Sequence, residues 1–147
     1  MSGRARISGN ARIAGGSFVY GDAIVKGDAH IDAVARVWSN AVIRKDAHVI
    51  GGCVEYDADL TKPEHHLFIP NFGSEQVNVN LFRTQDGYSL DVGCWDGEVG
   101  DLMDEVRDRR EYELAWTDAK KRDRKRWFAE YKGLTALLEA RVKSFHK

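Results

Sequence analysis

Two sets of residues in this chain could do chemistry, and both recur at a spacing of eighteen. Arg12, His30 and His48 stand at that interval, with Asp32 close to His30. Imidazole next to carboxylate is the material of acid–base sites and of zinc sites, provided a fold brings the groups together. Phe18, Arg36 and Val54 keep the same interval, as do Tyr20, Trp38 and Tyr56 beside them. Aromatic rings and arginine are the favoured anchors of protein interfaces. Eighteen residues is far longer than any helix or strand period, so either set acts only through the elements that carry it.

Those elements are visible as a repeat of six. From Ala5 to Gly52 the chain divides into ARISGN, ARIAGG, SFVYGD, AIVKGD, AHIDAV, ARVWSN, AVIRKD and AHVIGG. The first place is Ala in every unit but one, where Ser17 stands; the third is always Ile or Val. In an extended segment these two places share a face, so they make a narrow apolar interior while the second and fourth places point out. Gly followed by Asn, Asp or Gly tolerates left-handed backbone and ends each unit in a sharp corner. Short strands alternating with corners at a constant period predict a solenoid. Ala33, Ser39 and Lys45 replace the corner glycine in three units, and strain or a different turn is expected there.

The pattern Ile/Val, any residue, Gly, Asn/Asp, Ala resembles the hexapeptide repeat of left-handed parallel β-helices. The resemblance implies that three units make one triangular coil, so residues eighteen apart stack about 4.8 Å apart. It implies a short solenoid over residues 1–58, with Cys53 opening a ninth unit on an inward place, and a trimer formed through the prism faces. One outward face then carries Phe18, Tyr20, Arg36, Trp38 and Tyr56 as an interface. A second carries Arg12, His30, Asp32 and His48 as a polar, ligand-facing surface. The third, with Arg6, Ser8, Lys26 and Arg44, is mildly cationic. Hexapeptide acyltransferases use a histidine as acid–base group, and γ-class carbonic anhydrases hold zinc on such a fold. Zinc needs three or four well-arranged ligands, and here two histidines and one aspartate are in register. No catalytic residue, metal site or cofactor is assigned.

Residues 59–147 are expected to form a small α+β cap on the open end or one side of the solenoid. Residues 59–64 form the link. Val77–Leu81 and Tyr88–Val92 alternate about an Asp86-Gly87 turn, predicting a hairpin over about 77–92. Helices are expected over about 97–109 and 112–145, the second carrying Trp116, Ala119, Trp127, Phe128, Tyr131, Leu134, Leu138, Val142 and Phe145 on its apolar positions, with a break near Gly133. His65 and His66 diverge in an extended chain and are not a joint chelate. The basic run Lys120–Arg126 is balanced by the acidic stretch Asp96–Glu113, so nucleic acid is not the expected partner.

The net charge of −1 over 147 residues supplies no overall field for an anionic membrane or nucleic acid. No apolar run approaches the roughly 20 residues of a membrane span, the N-terminus lacks the core of a secretion signal, and two cysteines make no disulfide framework. A cytoplasmic protein is expected. The hexads, the Val92-Gly93-Cys94-Trp95 segment and the acidic helix together resemble uncharacterised bacteriophage and prophage hexapeptide-repeat proteins. That resemblance implies a phage-encoded, non-enzymatic interaction protein, active in the host cytoplasm and binding a host protein or a small nucleotide-like ligand. Such an origin suits counter-defence, for example by sequestering a nucleotide signal. A CoA-dependent acyltransferase is the alternative, and a γ-carbonic-anhydrase-like metalloenzyme a weaker one. Acyltransferases of the class have more coils and a loop-borne histidine, and fold alone does not settle function.

Overall fold

The computed structural model describes the backbone of residues 3–73, 76–112 and 118–147, and side chains outside 109–124. Its first part is a parallel β-solenoid of about three turns. The strands are β1 Arg6–Ile7, β2 Arg12–Ile13, β3 Phe18–Val19, β4 Ile24–Val25, β5 His30–Asp32, β6 Arg36–Val37, β7 Val42–Ile43, β8 His48–Ile50, β9 Cys53–Val54 and β10 Asp59–Leu60. They stack into three parallel sheets, β1-β4-β7-β10, β2-β5-β8 and β3-β6-β9. Arg6 pairs with Ile24 and Ile24 with Val42; Arg12 pairs with His30 and His30 with His48. The first and third places point inward as expected: Ala23, Ala29, Ala35, Ala41 and Ala47 are fully buried, with Val25, Ile31, Val37, Ile43 and Val49 between them.

Every corner is left-handed, including those without glycine. Gly21 and Gly27 have φ of 68° and 71°, and Ala33, Ser39 and Lys45 follow at 58°, 59° and 55°. The stack imposes the turn, and the side-chain-bearing residues absorb a strain of about 1–2 kcal/mol each. The strain is greatest for a β-branched residue, and Val34 (φ 60°) extends the corner at Ala33 while remaining 61% exposed. Val34→Gly is therefore expected to raise stability by about 1 kcal/mol despite the greater freedom it gives the unfolded chain. A thermal melt compared with wild type checks this.

The third coil is one residue short. Asp32 pairs with Ile50, but Arg36 pairs with Cys53 and Val37 with Val54. Three residues separate Asp32 from Arg36, and only Gly51 and Gly52 separate Ile50 from Cys53. This corrects the expected register past Gly52. Val54 does not stack outward below Phe18 and Arg36 but lies fully buried in the core, and Cys53 is half-buried on the outside rather than inward. A one-residue slip exchanges the two faces of a strand, and burial of the β-branched residue decides which register wins. The shortened coil continues into β10, where Asp59 pairs with Val42.

A 3₁₀ turn, Pro63–His65, leads to an antiparallel sheet of β11 His66–Phe72, β12 Val77–Arg83, β13 Tyr88–Val92 and β14 Trp95–Asp96, in that order. The expected hairpin is β12–β13. Helices α1 Leu102–Tyr112 and α2 Asp118–Ser144 follow. The break expected near Gly133 does not occur: α2 runs through it, because a glycine costs only about 1 kcal/mol in a helix whose other positions pack. Trp116 lies outside the described residues, as does the side chain of Ala119.

Strand β12 is buried on both faces and joins the two parts. Val79 and Leu81 face a core made with Leu102, Tyr131, Leu134, Leu138 and Phe145. Phe82, on the opposite face, belongs to the solenoid core. The sheet thus covers the C-terminal end of the solenoid, where unpaired strand edges would otherwise be exposed. At the contact, a Cβ on Gly51 would fall 2.6 Å from Phe68 Cδ1, so the corner that shortens the coil also lets the cap approach. Among the described residues, no helix is long and apolar enough to cross a membrane.

Candidate functional site

The stacking register assembles the polar face. The His30 and His48 rings meet edge to face with centroids 5.6 Å apart, and His30 Nε2 lies 3.6 Å from Asp32 Oδ2. Arg12, in the coil before, completes the column and lines an open cleft with Asn10, Asp28 and both histidines. Asp32 is partly engaged elsewhere, since its Oδ1 accepts the Ala33 N–H at 2.7 Å and supports the left-handed corner. Among the described residues, no group of three or more His, Cys, Asp or Glu side chains is placed to hold a metal ion. The face presents Arg12 and the two imidazoles beside the carboxylates of Asp28 and Asp32.

The aromatic face is more developed. Tyr20 and Trp38 stack with centroids 5.5 Å apart at 28°, and Trp38 meets Tyr56 at 6.4 Å. Phe18 is 52% exposed and Tyr56 60% exposed, while Tyr20 and Trp38 are half-buried within the column. Arg36 is exposed beside them. Among the described residues, the buried side chains of α1 and α2 belong to the cap core, which does not include Tyr20, Trp38 or Tyr56.

The shortened coil brings residues to this face that the repeat did not mark. Trp38 Nε1–H donates to Cys53 Sγ at 3.0 Å, and Glu55 Oε2 lies 3.9 Å from the same sulfur. Burial, with Glu55 and Asp91 nearby, pushes the Cys53 thiol up, so it serves as a neutral acceptor rather than a nucleophile. Burial and Asp91 also raise the Glu55 carboxyl. Asn80 ties the cap to this strand: its Nδ2 donates to Cys53 O at 2.7 Å and its Oδ1 accepts from Cys53 N at 3.4 Å. No signal in the sequence marked Asn80, since in the alternation Val77–Leu81 it takes a polar, outward place.

The cationic face is not open to a phosphate at Arg44. Its Nε and Nη2 donate to the two carboxylate oxygens of Asp59 at 2.9 and 3.0 Å. Arg83 Nη1 donates to Asp59 Oδ2 at 3.1 Å and to Asp59 O at 2.7 Å, and its Nε to Phe145 O at 2.7 Å. The Asp59 carboxylate therefore locks the solenoid to β12, and Arg83 ties the joint to Phe145 just past α2. Of the basic run, Lys125 and Arg126 are exposed, and the side chains before them lie outside those described.

Comparison with known proteins matches the chain significantly to no family model, no curated protein and no solved structure.

Proposed function

We propose that the protein is a non-enzymatic interaction module that assembles as a homotrimer through the β3-β6-β9 face. The observation that carries this is the stacked pair Tyr20 and Trp38, with Tyr56 tilted against Trp38 from the corner at φ 53°, open to solvent at Phe18 and Tyr56 and left uncovered by the chain's own described helical residues. A solenoid of three turns buries only a thin core of Ala, Val and Ile, so a face of this composition is the main apolar reserve for assembly. Packing around a common axis buries it in every copy and closes the symmetry. The Arg12, His30 and His48 face then remains for a host protein or a nucleotide-like anion. A counter-defence role belongs to the same proposal and rests on the resemblance to phage repeat proteins.

Burying the Trp38 surface contributes on the order of 2–3 kcal/mol per subunit. Trp38→Glu is expected to turn a trimer into folded monomers, read by light scattering with circular dichroism as the check on folding. A wild-type monomer at micromolar concentration refutes the trimer, and an intact trimer in the variant moves the interface to another face.

A further inference from the structure

We propose that the joint between solenoid and cap is an acid-opened latch, held shut by His65 and His66 in their neutral forms and released when they take up protons. The two rings stand where the solenoid ends and the cap sheet begins, and both are buried. Both rings are hydrogen-bonded, and the bond to His65 is one that only the neutral ring makes. The Nδ1 of His65 accepts the Thr61 backbone N–H at 3.1 Å, so its proton sits on Nε2. A second proton would occupy that acceptor and strand the Thr61 N–H, with only the Thr61 hydroxyl, 3.4 Å away, to receive the new ring N–H. The ring also stands edge-on to Phe145, 5.7 Å between centroids.

The His66 tautomer follows from Asn80. That amide is oriented by its two bonds to the Cys53 backbone, so its Oδ1 accepts and His66 Nε2 donates, at 3.0 Å. A second proton would go to Nδ1 and leave that bond in place, so at His66 the burial of the ring and the Arg141 guanidinium oppose the charge while the Asn80 bond favours it. The charges are mixed around His65 and oppose a second proton at His66. Arg83 and Lys62 face His65, with Glu64 and Asp59 acting the other way. Arg141 faces His66 and donates to Glu64 O at 3.1 Å and His66 O at 3.3 Å. Burial is the largest cause at both rings, and each is lowered to about 4.

A released joint lets both histidines titrate near 6.5. The open form therefore binds more protons than the closed one between about pH 6.5 and pH 4. Closure is fully favoured above that window and weakens as pH falls through it, by up to about tenfold per pH unit for each histidine. Asp59 does not take part: hydrogen bonding from Arg44 holds its carboxyl below the usual range, so its clamp stays ionised across the window. The solenoid interior is Ala, Val, Ile and Leu with Phe82 and holds no titrating group, which confines the response to the joint and the end of α2.

The test is hydrogen exchange on the full chain at pH 7.5 and 5.0, corrected for intrinsic rates, with H65N/H66Q as the variant. Asn Oδ1 replaces the Nδ1 acceptor, Gln Nε2 replaces the Nε2 donor, and neither titrates. His30, His48 and His146 are common to both proteins. In wild type, protection over residues 59–66 and 141–146 is expected to fall more than tenfold at pH 5.0 while residues 25–49 keep theirs. In the variant the joint is expected to stay protected. An equal acid response in both proteins, or loss of protection in 25–49 together with the joint, overturns the latch. Should the variant not fold, NMR of the wild-type rings decides. Rings that stay neutral below pH 5.5 in the closed form support the proposal, and titration near 6.5 without any opening overturns it.

Discussion

Gly27→Val is expected to unfold the solenoid under conditions where Lys26→Ala leaves it intact. Gly27 turns a corner at φ 71°, and a Cβ there would lie 2.8 Å from Lys45 N and 3.1 Å from Lys45 O. The backbone of the next coil cannot give way. Asp28 N–H donates to Lys45 O at 2.8 Å, and Asn10 N–H donates to Gly27 O at 2.9 Å, so the corner is pinned from both sides. A β-branched residue in left-handed backbone adds strain to the clash, and together they should cost roughly 3 kcal/mol or more. That is a large part of the 5–15 kcal/mol by which a domain is stable. Lys26 points to solvent, and its truncation should stay within about 0.5 kcal/mol. Thermal denaturation of the two variants separates them, and equal melting temperatures would contradict the stacking of Gly27 on Lys45.

Asp59→Ala is expected to lower stability by about 2–4 kcal/mol and to loosen the cap. The substitution leaves Arg44 and Arg83 without their shared carboxylate at a site where the Asp59 and Arg83 side chains are only 17% exposed. Arg83 would keep its bonds to the Asp59 and Phe145 carbonyls, so the loss should fall on the ionic part. Asp59→Asn, which retains an acceptor, should cost less. The carboxyl is depressed in the folded state, so its contribution is present above the unfolded value of about 3.9 and is lost as pH falls through the folded one. Urea denaturation at pH 7 measures the cost. A value for Asp59→Ala within 0.5 kcal/mol of wild type would show that the clamp is dispensable.

These two sites stand on opposite sides of what could be read from residues alone. Gly27, Lys45 and the His30–His48 and Tyr20–Trp38 pairs follow from the period. A repeat of constant length converts a separation of eighteen into one strand spacing, so local chemistry is enough to place distant residues together. The β12–β13 hairpin was legible for a similar reason, since alternation and an Asp-Gly turn act within a few residues.

Sequence by itself therefore determined the solenoid, its three faces and most of their outward columns. Tertiary structure decided the rest. The run Gly51-Gly52-Cys53-Val54 suits either a coil of seventeen or one of eighteen, and only the contest between Cys53 and Val54 for the interior selects the shorter one. The adjacent histidines look like an exposed linker until β12 and the end of α2 close over them. The helices could have covered either the aromatic face or the cap sheet, and the apolar sides of Val79, Leu81, Leu90 and Val92 drew them to the sheet. The clamp joins Asp59 to Arg83 across 24 residues and Arg83 to Phe145 across 62. No period or short-range pattern links such segments, because their docking is set by complementary shape, burial and charge that exist only once each has folded.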